Sequence, residues 1–108
     1  MSRTHEIFPR ELKEKLDAGL PIVLLDVREP EEIRIAEFPR ALHIPMGDVP
    51  ARISELEPEA EIVVVCHHGI RSAQVAGYLM SLGFEKVLNL QGGIDAWSAT
   101  VDPAVPRY

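Results

Sequence analysis

The hydrophobic residues of this chain form short runs of two kinds that alternate along its length. Continuous apolar runs, typical of buried parallel strands, occur in IVLLD (22–26), EIVVVC (61–66) and KVLNL (86–90), with a shorter run in ALHIP (41–45). Between these runs, apolar residues recur every three or four positions, which is typical of helices. This alternation predicts an α/β fold with a largely parallel sheet covered by helices.

Five helices are predicted before, between and after these runs, in the segments PRELKEKLDAGL, PEEIRIAEF, DVPARISEL, RSAQVAGYLMSLG and IDAWSA. Gly19 ends the first helix, Pro30 opens the second and Gly83 ends the fourth, since glycine favours helix ends and proline favours helix starts. The tail VDPAVPRY (101–108) contains two prolines and is expected to lie along the surface.

Two of these helices have apolar faces that predict how they pack. Asp48 is expected to cap the third helix, with Val49, Ile53 and Leu56 on its inward face. The inward face of the fourth helix is predicted to comprise Val75, Tyr78, Leu79 and Leu82.

Length and composition favour one domain over residues 1–108 and exclude several functions. Seventeen acidic residues against eleven basic residues give a net charge of −6, which argues against a nucleic-acid partner. The start of the chain has no apolar signal segment, and no stretch approaches the ~20 apolar residues of a membrane span. A single cysteine cannot form an internal disulfide, so a reducing, cytoplasmic environment is expected.

The only cysteine, Cys66, directly follows the run VVV, and Gly69, Arg71 and a helix start come soon after it. In parallel sheets, ligands bind beyond the carboxyl ends of the strands, where this cysteine is expected. A loop turning there into a helix directs backbone N–H groups and the positive end of the helix dipole inward, which favours a thiolate. A lone cysteine in a strand is more often a buried hydrophobic residue. The glycine, the arginine and the helix start favour a nucleophile instead.

His67 and His68 follow the cysteine and could be read as metal ligands. Adjacent residues seldom chelate one ion comfortably, and a single cysteine makes a structural zinc site implausible, so neither a metal nor another cofactor is expected. We expect both histidines to line the mouth of the pocket, close to the thiolate.

Four segments together resemble the rhodanese family of sulfurtransferases. CHHGIRS (66–72) resembles its active-site loop C-x-x-G-x-R-S, and LLDVREPEE (24–32) is similar to its D-V-R-x-x-x-E segment. PRALHIP (39–45) and VLNLQGGIDAW (87–97) are similar to its G-A-x-x-I-P and L-x-G-G-x-x-A-W segments. Residues 36–41, AEFPRA, depart from the Gly-His-Ile-Pro-Gly-Ala of many relatives. That departure bears on loop shape and substrate access more than on chemistry.

The resemblance implies an α/β, rhodanese-like fold with about five strands in a mostly parallel sheet flanked by helices on both faces. It also implies a sulfurtransferase that works through a cysteine persulfide. Cys66 would take the outer sulfur of thiosulfate or a similar small anionic donor, and then pass it to cyanide, a thiol or a protein thiol. The implied substrate-binding residues are His67, His68, Gly69, Ile70, Arg71 and Ser72. Their backbone N–H groups would hold the thiolate and the persulfide, while Arg71 attracts the donor.

Residues outside the loop receive structural roles. Asp26 and Arg28 lie at the end of a different strand, so a structural salt bridge is expected rather than a catalytic role. Trp97 is expected to pack in the core.

Three other functions are weighed against thiosulfate sulfurtransfer. A phosphatase of the same fold would have five residues between cysteine and arginine, whereas this chain has four (67–70), which suits sulfur better than phosphate. A module that only binds partners is disfavoured because Cys66 is retained. A persulfide carrier in a protein sulfur relay stays open, because the sequence shows neither the physiological donor nor the acceptor.

Overall fold

The computed structural model describes residues 5–108; residues 1–4, although part of the predicted domain 1–108, lie outside the described residues. Within residues 5–108, five strands form one sheet in the order β1-β5-β4-β2-β3, and every pairing is parallel. The strands are β1 (Glu6–Ile7), β2 (Ile22–Asp26), β3 (Leu42–His43), β4 (Glu61–Val65) and β5 (Val87–Leu90). The predicted sheet is therefore confirmed. The two-residue β1, which extends it beside β5, was not predicted because so short a strand has no period.

The described part of the chain has four α-helices, which cover the two faces of the sheet: α1 (Pro9–Asp17), α2 (Pro30–Ile35), α3 (Ile70–Ser81) and α4 (Gly93–Thr100). Alternate residues of the central strand β4 point to opposite faces. Ile62 and Val64 belong to the hydrophobic cluster that includes Leu79 of α3. Val63 and Val65 belong to the cluster that includes residues of α1 and α4. No helix among residues 5–108 is long and apolar enough to cross a membrane.

The predicted helix over residues 48–56 is wrong. Two 3₁₀ turns, Met46–Asp48 and Ile53–Glu55, occupy this stretch. Proline at positions 45, 50 and 58 removes backbone donors, so the segment forms short turns with i to i+3 hydrogen bonds instead of a continuous helix. Val49 and Leu56 are buried nevertheless, which confirms that these two residues face inward.

The apolar face predicted for α3 is only half correct. Val75 and Leu79 are buried as predicted, whereas 38% of Tyr78 and 48% of Leu82 are exposed. The helix instead buries Ser72 and Ala76 beside them. Residues 72, 75, 76 and 79 form a second set with helical spacing, and its small members let the helix backbone approach the sheet closely.

The predicted surface course of the tail is also wrong in part. Val105 is buried in the cluster of α1 and α4, and the side chain of Tyr108 is half-buried. The tail therefore packs back onto the body of the protein, and it ends beside the loop that follows β4.

Candidate active site

Cys66 lies one residue beyond β4, at the edge where the parallel strands end, and its side chain is buried. The chain then turns through residues 67–69 into α3. Gly69 has a φ of +99°, a left-handed conformation that favours glycine, and it forms the N-cap of this helix. This turn brings the Gly69 N–H to 3.1 Å and the Ser72 hydroxyl to 3.3 Å from the Cys66 sulfur. The predicted nest of donors around the thiol is present.

The pKa of Cys66 lies below its ordinary value. Burial is the largest single effect and opposes ionisation of the thiol. Hydrogen bonds from the Ser72 hydroxyl and from the backbone N–H groups of Ser72, Gly69 and His68 together outweigh it. The loop therefore favours the nucleophilic thiolate.

Backbone N–H groups in the first turn of α4 form hydrogen bonds with carbonyl groups of the Cys66 loop. The N–H of Ile94 donates to the Cys66 carbonyl at 2.8 Å, and the N–H of Asp95 donates to the His67 carbonyl at 3.1 Å. Gly93 has a φ of +64°, and a Cβ there would lie 2.4 Å from the His67 carbonyl oxygen. The QGG turn is thus where α4 approaches the Cys66 loop too closely for any side chain.

From the sequence we expected the Arg71 guanidinium to attract the anionic donor. In the structure this guanidinium is paired with Glu32. Its two terminal nitrogens donate to the two carboxylate oxygens of Glu32, at 2.7 and 2.9 Å. The hydrogen bonds from Arg71 are the largest cause that lowers the pKa of Glu32, to about 2, while the same pairing raises the pKa of Arg71. In the sequence, Glu32 was noted only as the last residue of the D-V-R-x-x-x-E segment, and its pairing with Arg71 was not predicted because the two residues lie 39 positions apart.

Tyr108 joins this ion pair to the end of β2. Its hydroxyl donates to Glu32 at 2.9 Å and accepts a hydrogen bond from Arg28 at 2.9 Å. Its ring stacks on His67 with the centroids 3.8 Å apart. Burial of the phenol is the main cause that raises the pKa of Tyr108 to about 12, so the hydroxyl keeps its proton. The sequence pattern could not predict the contact between Tyr108 and His67, because these residues lie 41 positions apart.

Asp26 and Arg28 form the buried salt bridge that was predicted, with 2.7 Å between the closest atoms. The same guanidinium donates to the Ala36 carbonyl at 2.8 Å and to Tyr108. Arg28 therefore anchors the segment that follows α2 and the tail to the end of the sheet.

His67 lies between two rings, because it stacks on His68 at 3.9 Å as well as on Tyr108. Its Nε2 lies 2.7 Å from the Tyr108 carbonyl oxygen, which accepts its hydrogen bond. Atoms of His67, His68 and Asp95 come within 4.8 Å of one another. Arg107 already binds the Asp95 carboxylate with hydrogen bonds of 3.0 and 3.1 Å, so a guanidinium supplies the positive charge there.

The other predicted loop residues differ in accessibility. Ile70 is 71% exposed and the His68 side chain is 57% exposed, so both face solvent at the mouth of the site. Ser72 is completely buried.

Asn89 is a site residue that the sequence did not reveal. This buried side chain of β5 accepts a hydrogen bond from the Ser72 hydroxyl at 2.5 Å. Its amide nitrogen donates to the Gly69 carbonyl at 3.1 Å and to the Glu6 carboxylate. A polar residue within the apolar run KVLNL was the only signal in the sequence.

Comparison with known proteins agrees with this geometry. The chain matches the family described as Rhodanese-like domain over residues 8–100. YtwF of Bacillus subtilis (strain 168), whose name marks it as a candidate sulfurtransferase, is 42% identical over 98 residues, 91% of this chain and 94% of that protein. Thiosulfate sulfurtransferase GlpE of Tolumonas auensis is 34% identical over 76 residues, 70% of this chain and 72% of that protein.

A solved structure extends the likeness to three dimensions. The crystal structure of a rhodanese-like domain protein from Staphylococcus aureus superposes with a TM-score of 0.84 at 32% identity. The superposition covers 97% of this chain and 99% of that chain, so the likeness extends over nearly the whole fold. The chain belongs to the family of rhodanese-like domains.

Proposed function

We propose that this protein transfers a sulfane sulfur from thiosulfate, or a similar small anionic donor, through a persulfide on Cys66. The acceptor is cyanide in assays and a thiol or protein thiol otherwise. The observation that carries the proposal is the convergence of hydrogen-bond donors on a buried thiol, which lowers the pKa of Cys66. A nucleophilic thiolate in an anion-binding loop is what attack on a sulfane sulfur requires.

The reaction takes two displacements on sulfur. The Cys66 thiolate attacks the outer sulfur of thiosulfate, a new S–S bond forms, and the old S–S bond breaks. Sulfite leaves with the electron pair of that bond, and Cys66 holds a persulfide anion. The acceptor nucleophile then attacks the outer sulfur, and Cys66 leaves as the thiolate, so that no proton, oxidant or metal is needed to balance the cycle. Ping-pong kinetics follow from this scheme.

The loop residues supply binding rather than acid–base chemistry. The backbone N–H groups of residues 67–72 favour the anionic sulfur at each stage. Arg71 adds positive charge, although Glu32 shares that charge through two hydrogen bonds. His68 and Ile70 border the entrance, where donor and acceptor arrive.

Two facts support sulfur transfer over phosphate hydrolysis. Only four residues, 67–70, separate Cys66 from Arg71, which makes a small ring that suits one sulfur atom better than a tetrahedral phosphate. Among the relatives, GlpE of Tolumonas auensis carries the name thiosulfate sulfurtransferase. These facts favour thiosulfate as the donor to test first.

Intact-mass spectrometry after incubation with thiosulfate tests the proposal. We expect a gain of one sulfur atom, reversed by cyanide with release of thiocyanate. Cys66→Ser should show neither the gain nor turnover. An unmodified mass together with no thiocyanate would overturn the proposal. A stable persulfide that only a protein thiol discharges would favour the carrier function, and hydrolysis of an aryl phosphate faster than thiosulfate consumption would favour a phosphatase.

A further inference from the structure

The side-chain amide of Asn89 can take only one orientation. One end of the amide faces the Glu6 carboxylate and the Gly69 carbonyl, which are acceptors only. The nitrogen must therefore point toward them, because the opposite orientation would oppose oxygen to oxygen. The Asn89 oxygen is then directed at the Ser72 hydroxyl.

The Ser72 hydroxyl has two acceptors and a single proton. Its oxygen is within hydrogen-bond distance of both the Asn89 oxygen and the Cys66 sulfur. While it donates to Asn89, its lone pairs face the sulfur, which suits a neutral thiol, because the S–H group can donate to the hydroxyl oxygen. When the sulfur becomes a thiolate, the hydroxyl can donate to it only by leaving the Asn89 oxygen without that donor in a buried position.

We infer that Asn89 is a positioning residue of the sulfur-transfer site that holds the Ser72 proton while Cys66 is neutral and releases it when Cys66 becomes an anion. The inference rests on the proposed role of Cys66 as the sulfur-carrying thiolate. Competition for the proton makes the thiolate less stable than the loop alone would make it. Asn89 therefore limits how far the thiolate is favoured.

Several other charged or ionisable groups surround the loop. They are Glu6 on β1, Asp26 and Arg28 at the end of β2, Glu32 on α2, His67 and His68 in the loop, Arg71 and Asp95 on the flanking helices, and Tyr108 in the tail. The test must hold all of these constant while it changes only the competition for the Ser72 proton.

A double-mutant cycle of Asn89→Leu and Ser72→Ala isolates this competition. Leucine matches asparagine in shape but accepts no hydrogen bond, so the Ser72 proton becomes free to serve the sulfur. We expect Asn89→Leu to lower the pKa of Cys66, measured as the alkylation rate against pH, by about one unit. In the Ser72→Ala background the same substitution should shift that pKa by less than about half a unit, because no hydroxyl remains to be released.

The cycle separates competition from damage to the loop. Asn89→Leu also removes the donor to the Gly69 carbonyl, but it does so in both backgrounds, and that effect cancels. An equal shift in both backgrounds would overturn the inference. If Asn89→Leu fails to fold, the pKa of Cys66 in the Ser72→Ala variant tests the inference by itself. A hydroxyl that donates to the thiolate without competition would make its loss raise the pKa of Cys66 by about one to two units. A hydroxyl that must first leave Asn89 contributes less, so its loss should raise that pKa by less than about half a unit.

Ser98→Ala is the matched control, because it removes another buried serine hydroxyl, one that donates to the Val105 carbonyl. It should leave the pKa of Cys66 unchanged. Persulfide formation by the unaltered protein is measured in the same series. Its absence would refute the proposed function, whereas its presence with an unfavourable cycle would refute only the role of Asn89.

Discussion

At the scale of single residues, the pairing of Arg71 with Glu32 decides how strongly the site attracts an anion. Both terminal nitrogens of the guanidinium are occupied, so its charge is largely balanced by the carboxylate. Because a charge on either member changes the field at the loop, the two partners should have opposite effects on donor binding.

We therefore predict that Glu32→Gln lowers the Michaelis constant for thiosulfate about three- to tenfold, by removing roughly one charge-assisted contact that competes for the guanidinium. Arg71→Ala should raise the same constant about tenfold or more, with a smaller change in turnover. Initial rates over a range of thiosulfate concentrations measure both.

Glu31→Gln is the control for these variants, since it removes the same charge from an exposed neighbour on α2. It should change the Michaelis constant much less than Glu32→Gln does. Equal effects of the two variants would show that only net charge matters. If Arg71→Ala left the Michaelis constant for thiosulfate unchanged, Arg71 would have only a structural role, and the backbone N–H groups would bind the donor.

At the scale of elements, the Cys66 loop depends on the close approach of α4. The first N–H groups of that helix bind the carbonyls of Cys66 and His67, and Gly93 makes the approach possible. The loop is thus held by hydrogen bonds on both of its sides: α3 supplies donors to the sulfur, while α4 supplies donors to the carbonyls.

Gly93→Ala should destabilise the folded domain and abolish most sulfur transfer. The new Cβ would lie 2.4 Å from the His67 carbonyl oxygen, and a positive φ adds strain for any residue but glycine. We expect a loss of about 2–4 kcal/mol in the free energy of unfolding, measured in urea.

Gly77→Ala provides the contrast within the same protein. Gly77 is exposed on α3, and a Cβ there would meet no atom within 4 Å. Because alanine favours a helix over glycine, this variant should gain about 0.5–1 kcal/mol and keep its activity. A Gly93→Ala protein as stable and active as the parent would show that α4 does not hold the loop.

At the scale of the whole molecule, Glu32 joins three distant parts of the chain. It lies on α2, it binds Arg71 of α3, and it accepts a hydrogen bond from Tyr108 of the tail. Its pKa falls from 4.5 to about 2 in the folded protein, chiefly through the hydrogen bonds from Arg71.

A lowered carboxyl pKa makes stability depend on acid. The folded state gains stability from Glu32 at pH values above 4.5, and this gain is lost as the pH falls from 4.5 toward 2. We predict that Glu32→Gln is less stable than the parent by on the order of 2 kcal/mol at pH 6, and that this difference shrinks markedly by pH 3. Urea unfolding at several pH values measures it, with Glu31→Gln as the control. A difference that stays constant with pH would contradict the assigned ion pair.

Particular elements show how far sequence reasoning reaches. The strands β2, β4 and β5 were predicted almost to the residue, because a buried parallel strand requires an unbroken apolar run. A helix was predicted over residues 48–56, where the structure has two short turns. The spacing of Val49, Ile53 and Leu56 indicates which residues face inward, but it does not determine the backbone conformation between them. Glycine and proline at helix ends marked α1, α2 and α3 correctly.

In the site, too, the sequence predicts the local features but not the contacts between residues that are far apart in the chain. The cysteine, the glycine and the helix start lie within seven residues, so local chain geometry determines the anion-binding loop, and the sequence alone sufficed to predict it. Glu32, Asn89 and Tyr108 reach the loop over 39, 17 and 41 residues respectively, in their contacts with Arg71, Ser72 and His67. No local pattern records such partners, because they come together only when strands and helices pack. The sequence by itself therefore determined the fold, the position of the single cysteine at the end of β4 and the loop that favours its thiolate. Only the tertiary structure decided which groups neutralise the arginine, share the serine proton and support the loop, because these interactions depend on the distances that packing creates between segments far apart in the chain.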